Sequence, residues 1–181
     1  RYITHSYYGK TYQKSAYKDI SPDIIALYRY QKNNRNYIVT HNEEYQYTYN
    51  TLYPEQMMEV GEDDLSVLLG GDTGDITIRS NLRSRSTLLI VGDDSVLPVI
   101  PFLASHYSQI RFVDLADLSE EQIAQIDCSQ YQRLLIAYSV DTFIHEDIPE
   151  KVALLQTAQT EEAISPQPAE ETQQDAGQAA S

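Results

Sequence analysis

The stretch Thr87-Leu-Leu-Ile-Val-Gly92-Asp-Asp-Ser95 decides the reading of this chain. Leu88–Val91 is an unbroken apolar run, the pattern of a strand buried on both faces, as strands of a parallel sheet are. Gly92-Asp-Asp-Ser95 then turns directly into Val96–Tyr107, which is apolar and long enough for a helix. Pro98 is acceptable in the first turn of such a helix, whereas Pro101 is expected to kink or restart it.

Downstream the same alternation repeats. Ile110–Asp114 reads as a strand. Ser119-Glu-Glu-Gln122 reads as a capping box, in which the serine oxygen and the glutamine side chain satisfy free amides at a helix start. That helix carries Ile123 and Ile126, Arg133–Ser139 (RLLIAYS) reads as another buried strand, and Pro149–Leu155 as a closing helix. Strand–helix–strand–helix–strand across residues 87–139 predicts a parallel sheet with right-handed crossovers.

Upstream the pattern is different. Twelve of the fifteen tyrosines lie in residues 1–53. Tyr45-Gln-Tyr47-Thr-Tyr49 alternates at period two, which puts three rings on one face of a strand. Asn36–Thr40 is a second strand, and the His41-Asn-Glu-Glu link makes a hairpin of the two. The ladder of rings suits either cross-sheet packing or stacking on sugar rings. Residues 54–71 read as a short helix or irregular region ending at Gly70-Gly71, and Ile76-Thr-Ile78 as a short strand.

From Gln156 on, the chain is mostly Ala, Gln, Glu, Pro, Ser and Thr, with one aspartate, one glycine, one isoleucine and no aromatic residue. Such a segment buries too little apolar surface to offset its ordering entropy. The expected organisation is one domain over 1–155 and a disordered acidic tail over 156–181. The whole chain of 181 residues has a net charge of −14, and the five acids of the tail leave −9 on the body. That argues against nucleic acid, whose phosphates need a basic footprint.

Cys128 is the only cysteine, so it forms no internal disulfide and no thiolate cluster, and packing is its expected role. No apolar run reaches the length of a membrane span. The chain begins at Arg1 rather than Met, which reads as a fragment or a processed product, with any signal or anchor upstream.

In open parallel sheets ligands gather beyond the carboxyl ends of the strands. Three ends are visible: Gly92-Asp-Asp-Ser95, Asp114-Leu-Ala-Asp117 and Ser139-Val-Asp141. At the first, a serine between a buried strand and a helix can expose its oxygen beside helix-start amides, as a nucleophile requires. The same four residues also make an ordinary turn and N-cap.

A serine nucleophile needs a base, usually a histidine held by an acid. None of His5, His41, His106 and His145 is preceded two positions earlier by Asp. His41 is expected in the hairpin turn, His106 at a helix end, and His145 past the last strand among acids. No metal-specific spacing, phosphate loop or dinucleotide motif occurs, so no cofactor and no metal is expected.

An ordered set of stretches resembles the DHHW family of bacterial surface proteins, which are similar to the SGNH-hydrolase-like domains of alginate O-acetyltransferases. Tyr8-Gly-Lys-Thr-Tyr12-Gln-Lys-Ser15, Pro22-Asp23-Ile-Ile-Ala-Leu-Tyr28, Leu52-Tyr53, Leu68-Leu-Gly-Gly71, Leu88-Leu-Ile90, Pro101-Phe-Leu103, His106-Tyr107 and Val113-Asp-Leu115 carry it. They span roughly residues 5–145 and correspond to the C-terminal half of that family.

The resemblance implies a partial α/β, flavodoxin-like three-layer domain with a tyrosine-rich hairpin region. It also implies an extracytoplasmic location at the cell surface. In the family the turn after the Leu-Leu-Ile strand reads Lys-Asp-Ser-Tyr-Ala-Asn, with its serine as nucleophile. Aligned without gaps, Asp93 matches the family aspartate, while Asp94 takes the serine position and Leu97 the asparagine position. Ser95 serves only if the turn is shifted by one residue. A carboxylate at the nucleophile position cannot replace an alkoxide, because acyl transfer to it would give a mixed anhydride. Asp72 stands where the family has asparagine after Gly-Gly. The Asp-His-His-Trp motif, expected to supply acid and base, lies upstream in the family and is absent here.

The expected site is therefore Ser95 and Asp94 as catalytic candidates, with Asp93, Asp72 and Asp141 as substrate-binding candidates. Two readings stay open. One is a degenerate or truncated domain, inactive alone, that binds or helps modify a surface glycan or wall polymer. The other is an O-acetyltransferase or esterase using Ser95 with an Asp/His pair from upstream, served by a membrane acyltransferase as acyl donor.

Overall fold

A computed structural model describes residues 2–9, 12, 14–29, 36–42, 47–55, 64–71 and 74–155. The expected disordered tail, Asp72, Tyr45 and the hairpin link 43–46 lie outside the described residues.

The elements run β1 (Tyr2–Tyr7), β2 (Asp23–Ala26), β3 (Tyr37–His41), β4 (Tyr47–Tyr49), a 3-10 turn (Asp64–Val67), β5 (Asp75–Ser80) and β6 (Thr87–Gly92). A 3-10 segment (Asp94–Val99) then leads into α1 (Ile100–Leu103), β7 (Gln109–Val113), α2 (Glu120–Ala124), β8 (Arg133–Ala137) and α3 (Val140–His145). The backbone is helical again over 148–155.

β1 and β2 form a separate antiparallel ribbon, and the other six strands form one sheet in the order β4-β3-β5-β7-β6-β8. β6 pairs in parallel with β7 and with β8, as the alternation over 87–139 predicts. β5 joins antiparallel to β7, and the β3–β4 hairpin joins antiparallel to β5. The sheet is thus mixed rather than parallel throughout. Ile76-Thr-Ile78 belongs to a longer inner strand that ties the tyrosine-rich part to the rest.

β6 is covered on both faces. Leu88 and Ile90 point into one core with Ile76, Ile78, Ile110 and Phe112, closed by Val96, Leu97, Ile100 and the 67–69 turn. Leu89 and Val91 point into the other, with Val113, Leu115, Ile123, Ile126 and Leu155. Cys128 packs against this second core, in keeping with the packing role expected of it, and burial raises its thiol pKa.

Three local readings need correction. The 96–107 helix is broken: Pro98 sits inside the 3-10 segment and Pro101 opens α1, each removing an amide donor that a continuous helix needs. Arg133–Ser139 is not buried on both faces. β8 ends the sheet, and Leu134 and Ile136 are 49% and 43% exposed. An apolar run specifies a strand but not its place in the sheet. His41 is not in a turn; it closes β3 and is fully buried.

The capping box stands as read, with the Ser119 oxygen accepting from Gln122 N and the Gln122 side chain accepting from Ser119 N. α3 was not among the expected elements, although Val140, Phe143 and Ile144 stand at i, i+3 and i+4; all three are exposed.

Candidate functional site

The carboxyl ends of the three parallel strands lie side by side, and each leads into a capping residue. Asp93 after β6 accepts from Ser95 N, Asp114 after β7 from Ala116 N, and Ser139 after β8 from Thr142 N. Polar side chains at these places satisfy amides that the starting turns leave free.

Asp93 does more than cap. It is 4% exposed, and its second oxygen accepts from Ser139 N at 2.9 Å, joining the ends of β6 and β8. The Ser95 hydroxyl also donates to it. Burial pushes the Asp93 carboxyl upward, but the donors of Ser95, Thr142 and Ser139 outweigh it and hold it at about 2.

Gly92 allows the close approach. A Cβ there would lie 2.3 Å from the Ala137 carbonyl oxygen of β8. On the β7 side, the Tyr138 hydroxyl accepts from Leu115 N at 3.1 Å. Burial raises the Tyr138 phenol far above its ordinary value, and it stays protonated.

Ser95 is exposed at the start of the 3-10 segment, and Asp94 beside it is partly exposed. Asp141, in the first turn of α3, lies in the open and pairs with His145 at 3.3 Å and with Lys14 at 3.4 Å. The strand ends thus bring together Asp93, Asp94, Ser95 and Ser139, with Asp141 in the helix that follows. Ser139 and Thr142 are the members that sequence reasoning missed. A serine after a strand was a visible signal, but its bond to Asp93 spans 46 residues of sequence.

None of the described histidines bonds Ser95. His41 is committed elsewhere: its Nε2–H donates to the Leu69 carbonyl at 2.7 Å, and its ring stacks on Tyr47 at 4.3 Å. The Nδ1 of His145 lies 2.8 Å from the Asp141 carbonyl. His106 is exposed, on the turn after α1. Among the described residues no group of three His, Cys, Asp or Glu is placed to hold a metal ion, and no helix is long and apolar enough to cross a membrane.

Tyr47 and Tyr49 pack around His41, with ring centroids 5.6 Å apart and nearly perpendicular planes. Tyr47 and Tyr49 of the ladder thus pack on His41 and on each other. A different set of aromatic residues lines open space. Tyr28, Tyr37, Tyr53 and Phe102 border a cavity of about 600 Å³ between α1 and residues 28–29 and 51–53.

No family profile matches the sequence, and no curated protein is significantly similar to it. The fold does have solved counterparts. A DHHW family protein from Eubacterium siraeum superposes with a TM-score of 0.50 and 15% identity, over 74% of this chain and 44% of its own. PatB1 of Bacillus cereus, solved with a sulfonyl adduct, superposes with a TM-score of 0.52 and 15% identity, over 78% of this chain and 46% of its own. The chain thus spans less than half the length of either protein. Over that span its mixed α/β fold resembles those of the DHHW family protein and of PatB1.

Proposed function

We propose that this chain is part of an SGNH-like domain of a cell-surface protein that binds or modifies a wall polymer or exopolysaccharide, and that it is not catalytic alone. The observation that carries this reading is the Ser95 hydroxyl, which donates to Asp93, with no imidazole bonded to it among the described residues. A carboxylate held at about 2 is too weak a base to take a hydroxyl proton at neutral pH. Nucleophile and base act as a unit, so one without the other loses most of the rate enhancement. On this reading Asp93 is a structural clamp, and Asp94 a carboxylate where an alkoxide is needed.

The second reading keeps the chemistry and places the missing groups on another segment. Ser95 would then be the nucleophile of an O-acetyltransferase or esterase, with an Asp/His pair supplied from outside this chain. Two observations favour it. Ser95 is exposed at the ends of the parallel strands, and a sulfonyl adduct of the kind PatB1 carries is the product of trapping an activated nucleophile. β8 also ends the sheet beside this turn. Leu134 and Ile136 of β8 and Val140, Phe143 and Ile144 of α3 are exposed, apolar surface suited to cover by the rest of a longer fold.

Turnover of 4-nitrophenyl acetate by a longer protein that carries this chain together with the missing segment, with labelling by phenylmethanesulfonyl fluoride followed by mass spectrometry, separates the two. The expected result is no turnover above buffer and no label on Ser95, in that protein as in this chain alone. Turnover or labelling abolished by Ser95→Ala and retained in Asp94→Ala would establish Ser95 as the nucleophile and overturn the inactive reading.

A further inference from the structure

The aromatic cavity is remote from the strand-end turn. Tyr37, which borders it, pairs with Ser80, and Ser80 N donates to the Ser108 carbonyl just before β7 begins. The cavity therefore sits where β6 and β7 start, whereas Ser95 sits where β6 ends. Pro101, Phe102 and Ser105 form one wall, at the far end of the 94–106 segment from Ser95.

Its mouth is unusual for a soluble surface. Tyr28 is 69% exposed and Phe102 57%, and their rings stand 5.8 Å apart with planes tilted by 45°. The floor is solid by contrast. Leu52 and Tyr53 are buried, and the Tyr53 hydroxyl is fixed by donating to the Tyr28 carbonyl at 3.0 Å. The two rings touch each other and leave their outer surfaces in water over a firm floor, apolar area that is buried only when something stacks on it.

The polar groups narrow the ligand. Arg29 is paired with Glu55, with its guanidinium 5.9 Å from the centre of the Tyr53 ring. The pair presents donors and an acceptor in a set geometry but no net charge, on a chain of net charge −14. At the wall the Ser105 hydroxyl donates to the Phe102 carbonyl at 2.9 Å and keeps its acceptor side, and His106 adds an imidazole. An anionic ligand gains little there. A ligand with hydroxyls on its edge and C–H groups on its face matches both features.

We propose that this cavity binds an uncharged pyranose unit of a glycan, stacked by its C–H face on the Tyr28–Phe102 ring pair, with ring hydroxyls on the Arg29–Glu55 pair. Units with equatorial substituents, as in β-1,4-linked chains, present the flattest such face. The inference deepens the glycan-directed reading by adding a binding site apart from Ser95.

Isothermal titration of the full chain with cellotetraose, chitotetraose and tetragalacturonate tests it. One of the two neutral oligosaccharides is expected to bind more tightly than the anionic one. Phe102→Ala and Tyr28→Ala are each expected to weaken that binding tenfold or more, and Phe143→Ala, an exposed ring outside the cavity, to leave it unchanged. Both cavity variants alter exposed side chains, so their circular dichroism is expected to match the parent. No binding of either neutral oligosaccharide at millimolar concentration, binding undiminished in both variants, or tighter binding of tetragalacturonate overturns the proposal. The ester assay uses no glycan, so its failure and this one are read independently.

Discussion

The two halves of the six-stranded sheet solve burial differently. In the parallel half, β6 is covered on both faces: Leu88 and Ile90 below one layer, Leu89 and Val91 below the other. In the antiparallel half only one face is apolar. Along β5, Ile76 and Ile78 are buried, while Asp75 and Thr77 face the other way. There Asp75 takes two bonds from Arg111, at 3.0 and 2.7 Å, and Asn42 bonds both Asp75 and Thr77. Parallel strands need cover on both faces, whereas antiparallel strands can leave one face to a polar network. Apolar runs therefore announced the first half, and the second was left to weaker signals.

Each half also has a glycine at its tightest contact, and these give the sharpest way to break the comparison. Gly92→Ala would drive a Cβ into the backbone of β8, where neither atom can swing aside. It is expected to cost about 3 kcal/mol in urea unfolding and to loosen the β6–β8 pairing. Gly70 has φ +96°, and a Cβ there would lie 2.5 Å from the Tyr49 ring and 3.0 Å from His41 Nε2. Gly70→Ala is expected to cost about 2 kcal/mol and to disturb the near-ultraviolet tyrosine signal. Equal disturbance of that signal by Gly92→Ala would mean that the halves do not respond separately.

A smaller effect belongs to the clamp at the parallel end. The Asp93 carboxyl lies near 2 in the folded chain, below its ordinary 3.8. Its stabilising contribution is thus complete above about pH 4 and lost as pH falls through 2. Asp93→Asn is expected to cost no more than about 2 kcal/mol at pH 7, with the gap from the parent closing below pH 4 in pH-resolved denaturation. A gap that persists at pH 2 would assign the effect to packing.

The smallest effect concerns the sheet edge. Ile136→Thr is expected to cost less than about 1 kcal/mol, since nearly half of its side chain is already exposed. A larger loss would place β8 among the covered strands, as its sequence alone suggested.

Local pattern gave the break at Pro101, the Ser119 capping box and the place of the Gly92–Ser95 turn, each resting on contacts within a few residues. The parallel unit was also legible, because alternating strands and helices leave right-handed crossovers as the way to pair the strands. Only tertiary structure decided that β8 lies at an edge, that β5 binds the tyrosine-rich strands into the same sheet, and that His41 is buried under Tyr47. It also decided that Asp93 holds Ser139 across 46 positions, and that Tyr28 and Phe102 meet at one cavity. These depend on which elements become neighbours, and an apolar run or an aromatic ring carries the same free energy of burial whichever neighbour supplies it.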